Sequence, residues 1–330
     1  MKKIVFLPIS PLMWEGFQTI WEDAVETPEN IVKVIPIPTY NRDSENNLSS
    51  DEYLTNGYPD LVPITDINSY NLETEHPDII YIQNANDSGT LGFTVHPYFY
   101  TSNIKNFTDN LTYIQYTCWP ELPVNNHEYL EDLRTMLIPE GINNVDHIIV
   151  QSQNMKDVYL HLLAGASAKQ LEYWESRISF KDYPRIRILE KYNHSSNILP
   201  IEWLEIIKNP DGTYKKTTLL CTSVMDILEN NRPKINELRD YFDTFSHKKD
   251  DEVLIWRPYP NLDKVLERLR PELYEEYHKL VKYYTDNDIG IFDTLPTPTP
   301  AIVVSNNYSG SNCGVSELFK STGKVCHILS

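Results

Sequence analysis

The feature of this sequence that most restricts its fold is a series of short apolar runs that alternate with segments of helical periodicity. The run Val253–Trp256 shows the pattern clearly, because a strand covered on both faces of a parallel sheet is apolar at every position. We predict strands at Lys3–Pro8, Val32–Pro38, Asp78–Gln83, Leu111–Tyr116, His147–Gln151, Thr217–Thr222, Val253–Trp256, Ile289–Phe292, Ala301–Val304 and Lys324–Ile328. We predict helices at Met13–Val25, Asn154–Ala164, Asn230–Phe245, Asn261–Asp286 with an interruption near Pro271, and Val315–Ser321.

This rhythm of strands and helices predicts doubly wound parallel sheets. The chain has 330 residues, and a single core stops growing at about 250–300 residues, so two domains are expected. We therefore predict an α/β fold with two Rossmann-like, doubly wound domains facing a cleft, which is the glycosyltransferase-B architecture. The predicted domains are residues 1–200 and residues 201–330, and the polar segment Asn41–Tyr58 is a surface excursion of the first.

The charge is distributed unevenly along the chain, whose formal net charge is −18. Residues 1–150 contain 6 Lys and Arg against 22 Asp and Glu, whereas residues 151–330 contain 23 against 25. An acidic first half repels nucleic acid and anionic lipid headgroups, so neither is expected as a partner. The nearly neutral second half is the better place for a phosphorylated ligand.

No apolar run approaches the length of a membrane span, and the run at Ile4–Ile9 is too short for the core of a signal peptide. We expect a cytoplasmic protein, with a peripheral position at the inner membrane face as the alternative. The cysteines stand far apart without metal-ligand spacing, so we predict buried or free thiols, no metal site and no cofactor. They are Cys118, Cys221, Cys313 and Cys326.

Arg257 follows the apolar run Val253–Trp256 and precedes Pro258, Tyr259 and Pro260. Ligands of open α/β sheets bind beyond the carboxyl ends of the strands, and a guanidinium on a loop stiffened by prolines suits an anionic group such as phosphate. The alternative is an arginine that joins two loops by pairing with a carboxylate. These residues alone favour neither interpretation.

The small residues of Tyr308–Gly314 precede the predicted helix Val315–Ser321. Small residues let backbone amides approach a ligand, and a helix N-terminus attracts anions, so this segment is a candidate phosphate cradle. The alternative is an ordinary loop with Asn312 or Cys313 near the helix cap. The predicted ligand-binding residues of the second domain are Thr222, Ser223, Ser311, Asn312, Cys313, Gly314 and Glu317. Thr222 and Ser223 also suit a capping role, and Glu317 also suits a surface charge.

His96, in the segment Thr94–Tyr100, is the candidate proton-transfer group of the first domain, because imidazole titrates near neutrality. The alternative is a histidine held in an aromatic patch. His194 has no spacing argument for a role. The basic residues between Arg177 and Lys191, which include Arg185, are interpreted as a solvated face.

The second half resembles the CDP-glycerol glycerophosphotransferases of teichoic-acid and capsule synthesis. The family's W/Y-R-P-H-P motif is matched by Trp256–Pro260, its S-D-A-Y-x-G-D-x-S-S segment by Ser305–Gly314, and its G-K-P-V by Gly323–Cys326. The first half is similar to members with H-P-x-F/Y-Y and V-x-x-S-x-x-M-K segments, matched by His96–Tyr100 and Val150–Lys156. The order and spacing of these segments span most of the chain.

Several motif positions depart from the family. The histidine of R-P-H-P is Tyr259, the two aspartates are Asn306 and Ser311, and the paired serines are Cys313 and Gly314. A tyrosine donates a hydrogen bond but does not become a cation at pH 7. The family's G-S-P-K segment corresponds to residues 193–196. Either the ligand differs from that of the family, or catalysis is weakened or lost.

The resemblance implies a transferase of bacterial cell-surface polymer synthesis. It would move glycerol phosphate, or a related polyol or sugar phosphate, from CDP-glycerol or another nucleotide-activated donor to a glycan or polyol-phosphate acceptor. The first domain would bind the acceptor and the second the donor. His96 would be the acceptor-side base, Arg257 would stabilise phosphate charge and Tyr259 would hydrogen-bond the diphosphate. The alternatives are a catalytically silent binding protein and a nucleotide-sugar glycosyltransferase.

Overall fold

The computed structural model describes residues 1–42, 47–87, 93–193 and 197–329. The chain divides into two compact units, Met1–Ile188 and Leu189–Ser330. The sequence places the boundary slightly later, after residue 200, and that position stays a prediction.

The first unit is built on a parallel sheet of six strands in the order β2-β1-β5-β7-β8-β9. A smaller antiparallel sheet, in the order β4-β3-β6, occupies part of the segment that the sequence predicts as a surface excursion. The strands of the unit are β1 (Lys3–Leu7), β2 (Ile31–Val34), β3 (Thr39–Arg42), β4 (Leu48–Glu52), β5 (Ile79–Ile82), β6 (Phe93–Val95), β7 (Leu111–Ile114), β8 (His147–Ile149) and β9 (Ile178–Ser179).

Helices cover the six-stranded sheet and connect its strands. They are α1 (Gln18–Val25), α2 (Leu72–Glu75), α3 (Thr101–Ile104), α4 (His127–Asp132), α5 (Arg134–Leu137), α6 (Gln153–Ala164), α7 (Ala168–Glu175) and α8 (Pro184–Tyr192), which crosses into the second unit. Short 3₁₀ helices lie at Pro11–Gly16, Ile67–Ser69, Pro97–Phe99, Lys105–Phe107 and Glu140–Asn144. The helix predicted at Met13–Val25 is thus divided between a 3₁₀ helix and α1.

The second unit contains a parallel sheet of five strands in the order β12-β11-β10-β13-β14. Its strands are β10 (Lys216–Thr222), β11 (Glu252–Pro258), β12 (Gly290–Phe292), β13 (Asn307–Gly310) and β14 (Val325–Ile328). Its helices are α9 (Ile201–Ile207), α10 (Val224–Ser246), α11 (Leu262–Leu269), α12 (Pro271–Asp286), α13 (Thr299–Val304) and α14 (Gly314–Ser321). The predicted interruption near Pro271 is confirmed, because α11 ends and α12 begins there.

The apolar run that dominates the sequence forms the centre of the second unit. Trp256 is fully buried and packs against Phe242, Tyr284 and Phe292, whose ring centroids lie 4.8–5.2 Å away. Its indole nitrogen donates to the hydroxyl of Thr222 at 3.0 Å. Large aromatic side chains contribute much of the apolar area that a core buries, so this cluster fixes α10 and α12 against the sheet.

One predicted element is wrong. Ala301–Val304 was expected to be a strand, but it belongs to helix α13, and the following residues Asn307–Gly310 form strand β13. A short apolar run does not distinguish a buried helix from a buried strand, and Pro300 at the second helical position favours the helix. The candidate cradle Tyr308–Gly314 therefore begins within β13, continues through Ser311, Asn312 and Cys313, and ends at the first residue of α14.

Within the described ranges, no helix is both long enough and apolar enough to cross a membrane. The helix of greatest length, α10, carries charged residues along its sequence and a break in helical geometry at Asn231, where φ is +54°.

Gly310 ends β13 with φ = +143°, and a Cβ placed on it would lie 2.3 Å from the backbone oxygen of Cys221. We expect Gly310→Ala to lower the free energy of unfolding by at least about 3 kcal/mol, because backbone strain and a backbone clash add together. Gly212→Ala is the matched control, since φ is +87° there but nothing lies within 4 Å. It should cost about 1–2 kcal/mol. Equal losses in urea denaturation would contradict the close approach of β13 and β10.

Candidate functional site

The predicted donor residues lie around the carboxyl ends of three neighbouring strands of the second unit. β10 lies between β11 and β13, and its residue Cys221 is paired in register with Arg257 on one side and with Gly310 on the other. Strands in a sheet are about 4.8 Å apart, so β11 and β13 are separated by about 10 Å at this edge. The sheet therefore brings the two motif segments to the same edge, as doubly wound folds do for ligand sites.

Arg257 lies inside β11 and is buried, with 5% of its surface exposed. Its Nη1 atom donates to a carboxylate oxygen of Asp293 at 2.7 Å and to the backbone oxygen of Leu295 at 3.0 Å. A longer hydrogen bond of 3.5 Å joins Nη2 to the backbone oxygen of Pro296. All three acceptors belong to the segment after β12, on the other side of β11 from β10 and β13.

The geometry thus matches the alternative interpretation of Arg257, in which a buried ion pair joins two loops. An isolated charge is costly to bury, and the carboxylate of Asp293, which is 3% exposed, compensates for it. Direct contact between Arg257 and a donor phosphate stays a prediction.

The turn after β13 lies next to the N-termini of two helices. Helix α10 begins after Ser223, and helix α14 begins after Cys313. The backbone N–H of Ser223 donates to the hydroxyl of Ser311 at 2.8 Å, and that hydroxyl also hydrogen-bonds the carboxylate of Asp226. The positive ends of both helices therefore lie at the same edge of the sheet, although Asp226 compensates for part of that potential.

The other predicted residues differ in what they offer a ligand. Asn312 is exposed at the turn. Tyr259 is 49% exposed and lies next to the end of β10, where its backbone N–H donates to the backbone oxygen of Thr222 at 2.9 Å. The Thr222 hydroxyl is buried and accepts the Trp256 indole, and the Ser223 hydroxyl caps α10 by accepting from Asp226 at 3.2 Å. These two hydroxyls thus perform structural tasks.

Glu317 and Asn306 each have a local partner. Glu317 lies in the first turn of α14 and forms an ion pair of 2.6 Å with Lys320. Asn306 lies at the amino end of β13, where its side-chain oxygen accepts from the backbone of Thr217 at 2.8 Å. Asn306 is therefore placed at the opposite end of the strand from the candidate cradle.

Cys313 has an environment that sequence reasoning did not reveal. The neighbouring Cys221 thiol donates to it, and the backbone amides of Ser316 and Val315 and the hydroxyl of Tyr308 also favour its thiolate. Together these groups lower the pKa of Cys313 to about 6, although burial alone would raise it. Burial raises the pKa of the Cys221 thiol well above its ordinary value, so this partner keeps its proton.

His96 lies in the first unit, at the N-terminus of the 3₁₀ helix Pro97–Phe99. It is exposed and lines a cavity of about 600 Å³. Aliphatic, aromatic and small polar side chains share the lining, among them Ile35, Asn68, Tyr70, Asn71, Tyr98 and Phe99. A partly apolar cavity with a few polar groups is typical of ligand sites.

The hydrogen bond of His96 limits its chemistry. Its Nδ1 atom accepts the backbone N–H of Tyr98 at 3.2 Å, so the neutral imidazole carries its proton on Nε2. In this arrangement Nε2 donates a hydrogen bond and does not remove a proton. The predicted role as a base therefore requires His96 to release the Tyr98 amide.

Two further sequence predictions concern residues outside this edge. His194, Ser195 and Ser196 lie outside the described residues. Arg185 was predicted to lie on a solvated face, but it is buried, with 5% of its surface exposed, and its guanidinium lies 4.3 Å from the ring centroid of Tyr116. Within the described ranges, no group of His, Cys, Asp and Glu has the arrangement of a metal site.

No protein-family model matches the sequence, and no curated protein matches it either. Solved structures do match. A UDP-GlcNAc 2-epimerase of Methanocaldococcus jannaschii, in complex with UDP-GlcNAc and UDP, has a TM-score of 0.53 and 12% identity over 100% of this chain and 84% of its own. A putative UDP-N-acetylglucosamine 2-epimerase of Listeria monocytogenes has a TM-score of 0.54 and 12% identity, over 99% of this chain and 79% of its own.

The wall teichoic acid polymerase TagF, in a structure soaked with CDPG, has a TM-score of 0.50 and 12% identity over 98% of this chain and 68% of its own. At this identity the likeness establishes the fold. The prediction of a two-domain α/β protein of the glycosyltransferase-B type is confirmed.

The Arg257 pair can be tested by stability. Removing one partner of a buried ion pair leaves an uncompensated charge, so Arg257→Ala should lower the free energy of unfolding by about 3–5 kcal/mol. Arg134→Ala is the control, because its pair with Glu131 is exposed and should contribute at most about 1 kcal/mol. Arg257→Met combined with Asp293→Leu should recover much of the loss in urea denaturation. An Arg257→Ala protein as stable as the wild type would show that the pair is not structural.

The Cys313 environment predicts selective alkylation. Because only the thiolate reacts, labelling of Cys313 by iodoacetamide should rise with pH around a midpoint of about 6. Cys326 is an internal control, since burial raises its pKa and its labelling should require a more alkaline pH. Site-resolved mass spectrometry with Cys313→Ser as the blank measures both profiles. Coincident profiles would contradict the hydrogen bonds assigned to the Cys313 sulfur.

Proposed function

We propose that the protein is a transferase that binds a nucleotide-activated donor at the carboxyl edge of the second sheet, with CDP-glycerol as the first candidate. The observation that carries this proposal is the convergence of the N-termini of α10 and α14, linked by the bond between Ser223 and Ser311. Backbone amides at a helix N-terminus favour phosphate groups. Solved proteins of similar fold hold UDP, UDP-GlcNAc and CDPG, which supports a donor of this class.

The proposed reaction is phosphoryl transfer. An acceptor hydroxyl oxygen forms a bond to the phosphorus of the glycerol phosphate, the bond from that phosphorus to CMP breaks, and the hydroxyl proton passes to a base or to water. Such reactions depend mainly on positioning and on stabilisation of phosphate charge. The amides of Gly314 and Val315 and the exposed side chains of Asn312 and Tyr259 are the proposed donor contacts.

Arg257 takes a different part in this proposal from the one that the motif implies. It would position the segment after β12 through Asp293 and would not touch the donor. His96 would donate from Nε2 to an oxygen of the acceptor, because its Nδ1 is occupied by Tyr98. The first unit would bind the acceptor, a glycan or a polyol phosphate.

A catalytically silent binding protein is the second candidate. The observation that favours it is the engagement of Arg257 with Asp293, together with Tyr259 at the position of the family's histidine. Such a protein would bind the nucleotide through the same turn and release no product.

The assay that separates these candidates is product analysis. Purified protein is incubated with CDP-glycerol and, in parallel, with CDP-ribitol and common nucleotide sugars, each with polyol or glycan acceptors, and the nucleotides are resolved by chromatography. CMP identifies phosphoglycerol or phosphoribitol transfer, whereas a nucleoside diphosphate identifies glycosyl transfer. Saturable binding without any product supports the silent protein. Absence of binding to every nucleotide would refute the donor site.

The site can be tested by a change of charge at constant shape. Asn312→Asp places a negative charge beside the N-terminus of α14, which should leave stability unchanged or raise it slightly while repelling a diphosphate. We expect donor affinity in calorimetry to fall by about tenfold, which corresponds to about 1.4 kcal/mol. Asn106→Asp is the control, because it makes the same change on an exposed position of the first unit. Equal affinities of the two variants would place the donor elsewhere.

A further inference from the structure

The first unit contains a buried carboxylate without a partner. Glu15 lies in the 3₁₀ helix that follows β1 and is 2% exposed, and neither of its carboxylate oxygens has a hydrogen-bond partner among the described residues. Acidic side chains are almost never fully buried unless they are paired. The two carboxylate oxygens of Glu15 therefore have acceptor capacity that the described residues leave unused.

The surroundings of Glu15 contain other unsatisfied polar atoms. Gly16 packs so closely on Gln83 and Tyr116 that a Cβ on it would lie 2.2 Å from the Gln83 amide nitrogen and 3.0 Å from the Tyr116 ring. The Gln83 nitrogen donates to Met13 at 2.9 Å, while its buried oxygen has no partner in the part of the chain that the structure describes. The backbone and ring beside Glu15 are thus fixed in place.

Arg185 supplies the opposite charge. Its guanidinium stacks on the Tyr116 ring and donates through Nη1 to the Tyr116 backbone oxygen at 2.9 Å, whereas its Nε atom is buried without a partner among the described residues. Burial lowers the pKa of Arg185, but Tyr116, Cys118, Tyr183 and Glu15 raise it by more, so the charge of Glu15 acts on Arg185. The structure nevertheless shows no ion pair between Glu15 and Arg185 in the described ranges.

The topology places this cluster where α/β sheets bind ligands. Glu15 follows β1, Gln83 follows β5 and Tyr116 lies just after β7, and these three strands are neighbours in the sheet. The chain leaves β1 for β2 on one side, and β5 lies on the other, so the strand order reverses beside β1. In open α/β sheets, ligands bind at the carboxyl ends of the strands at such a reversal.

We propose that Glu15, Gln83 and Arg185 form a binding site for a neutral polyhydroxylated compound, a polyol or the hydroxyls of a glycan. The unsatisfied oxygens of Glu15 and Gln83 need donors, and the Nε of Arg185 needs an acceptor. A hydroxyl group provides both. The charges of Glu15 and Arg185 cancel, so a neutral ligand leaves no net buried charge, whereas an anion would meet the carboxylate.

This site does not depend on the transferase proposal, because its binding is measured without any nucleotide. The probes are ribitol and glycerol, titrated into the full chain and followed by saturation-transfer NMR. Saturable binding of ribitol to the wild type is expected. Its absence for both probes would overturn the proposal and would leave Glu15 solvated by water alone.

The decisive comparison uses an isosteric variant. Glu15→Gln keeps the shape and removes the charge, and hydrogen bonds to a charged group are the stronger ones, so ribitol affinity should fall about tenfold or more. Glu15→Asp keeps the charge, but its side chain is one methylene shorter. Its affinity for ribitol should therefore lie between those of the wild type and Glu15→Gln. Glu128→Gln, at an exposed position of α4, is the control and should bind as the wild type does. Circular dichroism establishes that each variant is folded, and unchanged affinity of a folded Glu15→Gln would refute the site.

Discussion

The second unit depends on the parallel pairing of β10 with both β11 and β13. This register places Cys221 beside Arg257 and beside Gly310, so Arg257 and the turn after β13 lie at the same edge of the sheet. The absence of a side chain at Gly310 allows the close approach, because its Cα faces the Cys221 backbone. The helices α10 and α14 then begin at that edge because they follow the two paired strands directly.

The same register gives the two sides of β10 different surroundings at the carboxyl edge of the sheet. On the β12 side, Arg257 and Asp293 form a buried ion pair that fixes the segment after β12. On the β13 side, the exposed residue Asn312 lies in a turn next to the N-termini of α10 and α14. The guanidinium of Arg257 is thus held by the neighbouring segment, whereas the turn after β13 exposes Asn312.

A sequence pattern predicts an element of the fold well when it fits only one kind of secondary structure. Continuous apolar runs such as Val253–Trp256 identify buried parallel strands well, because both faces must be covered. The strand predicted at Ala301–Val304 is wrong, because the length and composition of this run fit a buried helix equally well. The sequence also predicts that residues following neighbouring parallel strands lie at the same edge of the sheet, as Ser223 and Ser311 do.

Partners that are distant in sequence are harder to predict. The pairing of Arg257 with Asp293 depends on the conformation of a loop, and no local pattern encodes it. The burial of Glu15 and Arg185 is equally hard to predict, because charged side chains are usually exposed even when their apolar neighbours, such as Trp14 and Ile188, are buried. Only the fold shows that Arg185 stacks on the ring of Tyr116, which also packs against Gly16, the neighbour of Glu15.

The Cys313 sulfur adds one consequence for any anion that binds at the turn after β13. The amides of Val315 and Ser316 stabilise a thiolate there, and a phosphate would compete for the same amides. An incoming dianion would therefore be accompanied by protonation of the sulfur. Ligand occupancy and proton uptake would be coupled at this turn, and the ligand would be held more tightly in mildly acidic solution than in alkaline solution.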